Sequence, residues 1–190
     1  VIIDRTSRGE SIIVGRSSCE KCKKKLTPLE LIPIFSYLVL KGRCKNCKSK
    51  IPVRLLFVEG LTGFVFVFLF LLFVSSSIAL IKLIFLAVVL SIFIAIFFSD
   101  LEYGIIPDEL IIGFTAITLL NLFFFEHDRL ANSFLSATGL FIFFVFLFLI
   151  TKRRGMGFGD VKLSFGLGLF LGFPKIIVAM YLAFLTGAFV

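Results

Sequence analysis

The chain of 190 residues contains no Trp, one His, two Met and five Pro, and only twelve Asp and Glu against twenty Lys and Arg. The lone His127 lies in "EHDR", a stretch read below as an outer loop. That argues against a Ser-His or Cys-His mechanism at the inner face. No cationic stretch followed by a short apolar run precedes the basic N-terminal part, so no signal peptide is read there. No glycine fingerprint of the dinucleotide type follows a strand, so no nucleotide site can be assigned on that ground. The chain opens "VIIDRTSRGE" without Met and stops inside "YLAFLTGAFV". Both ends therefore read as cut, and the expectation is a piece of a longer protein.

Apolar residues, by contrast, are abundant. The hydrophobic fraction is 59%, Phe alone supplies 27 residues, and the mean hydropathy is +1.09. A soluble domain is about 45–50% apolar, so the fold class expected is an all-α polytopic membrane helix bundle. Five apolar runs follow residue 54, at about 55–74, 78–99, 107–125, 130–151 and 161–190. Each of the first four is near the ~20 residues that span ~30 Å of hydrocarbon. The fifth is long, and "LGFPK" at 171–175 breaks it, because Pro174 removes a backbone donor. Two helices are read there, giving six in the bundle.

Residues 1–54 hold thirteen of the twenty Lys and Arg but only Asp4, Glu10, Glu20 and Glu30 among the acids. A segment this basic could meet nucleic acid. Beside a membrane bundle it reads instead as a cytoplasmic loop held inside by the positive-inside rule. The expected domains are thus a tetra-Cys module over 1–54, with short strands and turns, and a helical bundle over 55–190. Crossing by crossing, "SSS" at 75–77 turns outside, the second helix brings Asp100 back to the inner face, and "EHDR" at 126–129 lies outside. The fourth helix returns to Lys152, Arg153 and Arg154, which fit the inside rule independently. Asp100 and Asp160 are then expected at one membrane face.

"CEKC" at 19–22 and "CKNC" at 44–47 hold all four cysteines. Two CxxC pairs with 21 residues between them match a two-knuckle tetrahedral Zn²⁺ site, with Cys19, Cys22, Cys44 and Cys47 as ligands. The bland alternative is four unligated thiols. Four thiolates leave no open position for water, so the expected role is structural. A module this small would draw much of its folding free energy from the metal.

Ionisable groups at a bilayer are costly and are functional candidates by default. Asp108 follows Pro107 at a helix start with Glu109 next, which is ordinary capping chemistry. Glu102 reads as a solvated loop residue, and Glu59, beside Gly60 and Gly63, as an acid of open role. Asp100 and Asp160 stand apart. Asp100 closes an apolar helix where its charge opposes the helix dipole. Asp160 follows "GMGFG", where Gly157 and Gly159 weaken the helix and allow another chain to approach. Such glycines suit a site that binds an extended peptide. Two aspartates converging on one water share a proton, one acting as base and the other as acid.

"DLEYGIIPD" at 100–108, "GFGD" at 157–160 and the two CxxC pairs together resemble the type IV prepilin peptidases, bacterial aspartic membrane proteases of the GxGD type. "IDRTSRGESI", "LIPIFSYLVLKGRC" and "RLLFVEGLTG" are similar to that family's cytoplasmic loop and following helix. The resemblance runs through essentially the whole chain. It implies removal of the leader from type IV prepilins and pseudopilins, after a Gly, at the cytoplasmic face of the bacterial inner membrane, with Asp100 and Asp160 as the catalytic pair. It also implies methylation of the new N-terminus with S-adenosylmethionine. Relatives that process archaeal preflagellins cleave without methylating and typically lack the cysteine loop, so this chain leans to the bifunctional type. The family's usual first transmembrane helix, before the cysteine loop, is missing from the sequence. A rival reading from another class is a transporter or channel-like protein with Asp100 and Asp160 as ion or proton sites and a regulatory metal loop. Its acids would be expected near the midplane, whereas these sit at helix ends.

Overall fold

A computed structural model describes residues 18–19, 21–27, 30, 35–75, 80–152 and 156–188. Among them the chain is helical, with two isolated antiparallel bridges and no longer strand. The helices are α1 (Phe35–Val39), α2 (Val53–Ser75), α3 (Leu80–Tyr103), α4 (Asp108–Phe125), α5 (Leu130–Ile150), α6 (Phe158–Leu171) and α7 (Lys175–Ala188). The "SSS" turn beyond Ser75, and Arg153 and Arg154, lie outside the described residues. The break expected at 171–175 is present: α6 ends at Leu171, Gly172 takes φ 64°, and α7 starts at Lys175.

Four helical stretches, Leu55–Val74, Leu80–Tyr103, Asp108–Phe125 and His127–Ile150, are long and apolar enough to cross a membrane. Their surfaces say the same. On α2, Phe64, Val67, Phe70 and Val74 are all more than half exposed. A helix apolar on every side is stable only when buried in protein or lipid. The α3 helix runs past Ser99 to Tyr103, and Gly104 ends it at φ 61°, the left-handed geometry that favours glycine. Glu102, expected in a loop, therefore lies in the last turn of α3, because no breaker precedes Gly104.

The chain divides into two compact units, Val1–Leu101 and Glu102–Val190. In the first, α1 closes with the paired bonds of a Schellman motif. The Lys41 N–H bonds Leu38 C=O at 3.1 Å and the Gly42 N–H bonds Tyr37 C=O at 2.9 Å.

In the second unit α6 runs parallel to α4 and antiparallel to α5. Along α5 the partners follow an antiparallel register: Phe158 with Phe148, Phe165 with Phe141, and Gly168 with Ala137. Two close approaches set this packing. A Cβ added at Gly168 would stand 2.4 Å from Ala137 Cα, and one at Gly166 would stand 2.9 Å from the Phe114 ring. Small residues are the means by which membrane helices approach closely. Leu122, Ala137 and Leu169 form the buried centre between the three helices. Beyond it, Asn132 Nδ2 donates to Phe173 C=O at 2.9 Å, and Arg129 Nη2 donates to Leu171 C=O at 3.1 Å. Those bonds fix the turn between α6 and α7.

Candidate functional site

The four cysteines come together. Their Sγ atoms all lie within 4.8 Å of one another, and Cys19 and Cys47 are 3.7 Å apart. Four thiolates at ~2.3 Å around a tetrahedral metal stand ~3.8 Å from each other. The donor set and its spacing therefore fit a metal ion. The backbone explains why the sulfurs converge. Ser18 bridges Lys25, and Arg43 bridges Lys50. Within each loop the first Cys N–H bonds a carbonyl five residues on: Cys19 to Lys24 at 3.0 Å, Cys44 to Ser49 at 2.8 Å. The residue after the second Cys is left-handed in both, Lys23 at φ 55° and Lys48 at φ 54°. The two loops are the same knuckle built twice.

Sulfur ionisation follows the local bonds. The Cys22 amide, with that of Lys21 and the Cys44 and Ser49 side chains adding to it against burial, brings the Cys19 thiol down to about 6. The Ser49 hydroxyl, 3.1 Å from the sulfur, and then the Ser49 amide hold the Cys47 thiol below its ordinary value. The Cys47 and Asn46 amides favour a Cys44 thiolate too, yet burial and the neighbouring sulfurs of Cys19 and Cys47 leave that thiol raised. A cluster in which neighbouring thiols compete for protons is one a cation would discharge.

Asp160 is the third residue of α6, half-buried, and its Oδ2 accepts the Gly157 N–H at 3.2 Å. Gly157 is the N-cap, so the carboxylate closes the first turn of its own helix. Gly159 has a sharper role. A Cβ there would stand 3.1 Å from Ile106 Cβ. The room that the glycine provides on that side is taken by Ile106, from the link between α3 and α4. Asp108 opens α4 behind Pro107, as expected, and also pairs with Lys162 of α6 at 2.7 and 2.8 Å. Spacing gives no sign of that pair, since its members are 54 residues apart.

Asp100 is exposed in the last turns of α3 and belongs to the first unit, whereas Asp160 belongs to the second. Glu59 is half-buried in α2. His127 lies in the 3₁₀ turn His127–Arg129, its ring edge-on to Phe123 at 5.5 Å.

A multi-pass helical membrane protein with a metal-ready double knuckle is the class these features define. The bacterial peptidase A24 N-terminal domain matches residues 1–73, and the type IV leader peptidase family matches residues 87–190. The chain belongs to the type IV leader peptidase family. It is 32% identical over 183 residues to a prepilin leader peptidase/N-methyltransferase of Aeromonas hydrophila, covering 94% of this chain and 62% of that protein. The protein of the same name from Bacillus subtilis (strain 168) is 33% identical over 178 residues, covering 94% and 70%. That of Legionella pneumophila is 31% identical over 184 residues, covering 95% and 63%. The chain thus spans less than two thirds of the Aeromonas and Legionella relatives. No solved structure matches it.

Proposed function

We propose that the chain is the body of a membrane aspartic endopeptidase that removes the leader of type IV prepilins and pseudopilins, working at the cytoplasmic face of the bacterial inner membrane. The observation that carries this is the family match over residues 87–190, a stretch that holds both Asp100 and Asp160. In this reading Asp100 and Asp160 share one proton around a single water. The ionised carboxylate takes a proton from the water as its oxygen attacks the scissile carbonyl carbon. The protonated one donates to the carbonyl oxygen. As the tetrahedral intermediate collapses, the C–N bond breaks and a proton passes to the leaving amine. The substrate is an apolar helix with a basic leader.

The double knuckle holds Zn²⁺ through Cys19, Cys22, Cys44 and Cys47, closed to water and therefore structural. The same protein N-methylates the new N-terminus, as the names of its relatives say of them. S-adenosylmethionine supplies the methyl group when bound, and none of the described side chains is assigned to it.

Asp100→Asn and Asp160→Asn, each purified folded in detergent, should lower cleavage of a synthetic prepilin by about 10³-fold or more. Mass spectrometry of the product with and without S-adenosylmethionine reads the methylation. Near-normal cleavage by either folded variant sinks the pair.

A further inference from the structure

Two contacts tie the first turns of α6 to one short stretch of chain, residues 106–108. One is apolar: Ile106 fills the space at Gly159. The other is charged: Lys162 Nζ reaches both oxygens of Asp108, at 2.8 and 2.7 Å. Asp160 lies between these two anchors in sequence, and its carboxylate is occupied within the same turn by the Gly157 N–H. The Lys162 ammonium also stands 5.1 Å from the centre of the Phe158 ring, so it is held from its own helix as well. Asp108 in turn is fixed at the start of α4 by Pro107, whose φ of −63° and ψ of 130° set the entry of that helix.

We infer that Asp108 and Lys162 are a positioning pair, an ion pair that sets where the first turn of α6 holds Asp160. The inference rests on the reading of Asp100 and Asp160 as the hydrolytic pair. Connectivity makes the tie pertinent. Sixty residues separate Asp100 from Asp160 along the chain, but Asp108 is eight residues after Asp100 and Lys162 two after Asp160. The ion pair closes the chain between Asp108 and Lys162, which narrows the range of positions that the first turn of α6 can take against the start of α4.

An exposed ion pair adds little to folding. The side chains of Lys162 and Asp108 are 36% and 58% exposed, so breaking the pair should leave the helices packed through Gly166 and Gly168. What it should change is the chemical step, because misplacing a catalytic group by about 1 Å can cost 10²-fold in rate.

The test uses the whole protein in detergent with a synthetic prepilin peptide. Lys162→Met and Asp108→Asn should each lower kcat by about tenfold to thirtyfold, with KM within about twofold and an unchanged melting temperature. The double variant should be no slower than the slower single, since one interaction is lost in all three. Lys162→Arg should recover most of the rate. The inference is overturned if either single variant keeps wild-type kcat, if the two losses multiply, or if KM alone rises, which would make Lys162 a substrate contact. Should Lys162→Met fail to fold, Asp108→Asn and Lys162→Arg carry the same comparison. Asp100→Asn and Asp160→Asn run alongside. Cleavage surviving in those two defeats the hydrolytic reading itself, whereas their inactivity beside a fully active Lys162→Met defeats only the positioning pair.

Discussion

Between Ser18 and Lys50 a single described residue, Cys44, is buried, and the shape of the segment comes from backbone bonds and four converging sulfurs. Around α6 the reverse holds. Phe114, Thr118, Leu122, Ser133, Ala137, Val161 and Leu169 are at most 2% exposed, and order comes from glycines that let backbones touch. One region is held by local backbone bonds around four sulfurs that could take a metal ion, and the other by what it leaves out. The difference teaches that a change of solution conditions should act on the first, and a change of one methyl group on the second.

Metal removal should separate them most widely. Structural Zn²⁺ contributes on the order of 10 kcal/mol of folding free energy to small thiolate modules. A strong chelator, or Cys44→Ser, should expose residues 18–50 to protease while the helices from 102 onward keep their melting behaviour. If both regions melted together, the contrast would fail. Next in size is Gly168→Ala. The added methyl meets backbone, Ala137 Cα at 2.4 Å, which cannot rotate aside. A loss of about 3 kcal/mol is expected, the upper part of the overpacking range, read by reversible unfolding in mixed detergent. Gly139→Ala is the control, since nothing lies within 4 Å of its Cβ position. It should match or exceed the parent, because alanine is the better helix former by up to about 1 kcal/mol. The smallest effect is a gain. Thr118 Oγ1 and Ser133 Oγ are buried with no hydrogen-bond partner among the described residues. Thr118→Val keeps the shape and removes the stranded hydroxyl, so it should stabilise the α4–α6 packing by about 1 kcal/mol in the same assay.

What the sequence revealed and what it hid divide along the chain distance of the interactions. The CxxC pairs, the apolar runs and the break at Gly172–Pro174 are local patterns, and each appears in the structure where spacing put it. The end of α3 was placed at Ser99 and Asp100, three to four residues short of Tyr103, because Glu102 looks like a loop residue until Gly104 is seen to be the first residue that stops the helix. Gly159 was legible as an opening, but its contact with Ile106 was not. Ile106 lies 53 residues before Gly159, and no periodicity connects them. Asp108 was read as a helix start, which it is, while nothing in the sequence singled out its partner Lys162. Gly166 and Gly168 passed unnoticed inside an apolar run, and only the crossing helices give them meaning. A dense run of small residues in a short helix was the signal available.

The backbone contact at Gly168 also makes that point a fulcrum. With Ala137 pressed against it, α6 cannot slide along α5 without a collision, so the motion left to it is a tilt. Asp160 is eight residues away, a lever arm of about 12 Å at 1.5 Å per residue. A swing of only ~5° would then carry its carboxylate ~1 Å, the displacement at which a reacting group falls out of line. For the hydrolytic role proposed for Asp160, so sharp an angular tolerance asks for a brace at the far end of the lever, and the Asp108–Lys162 contact lies in the first turns of the helix.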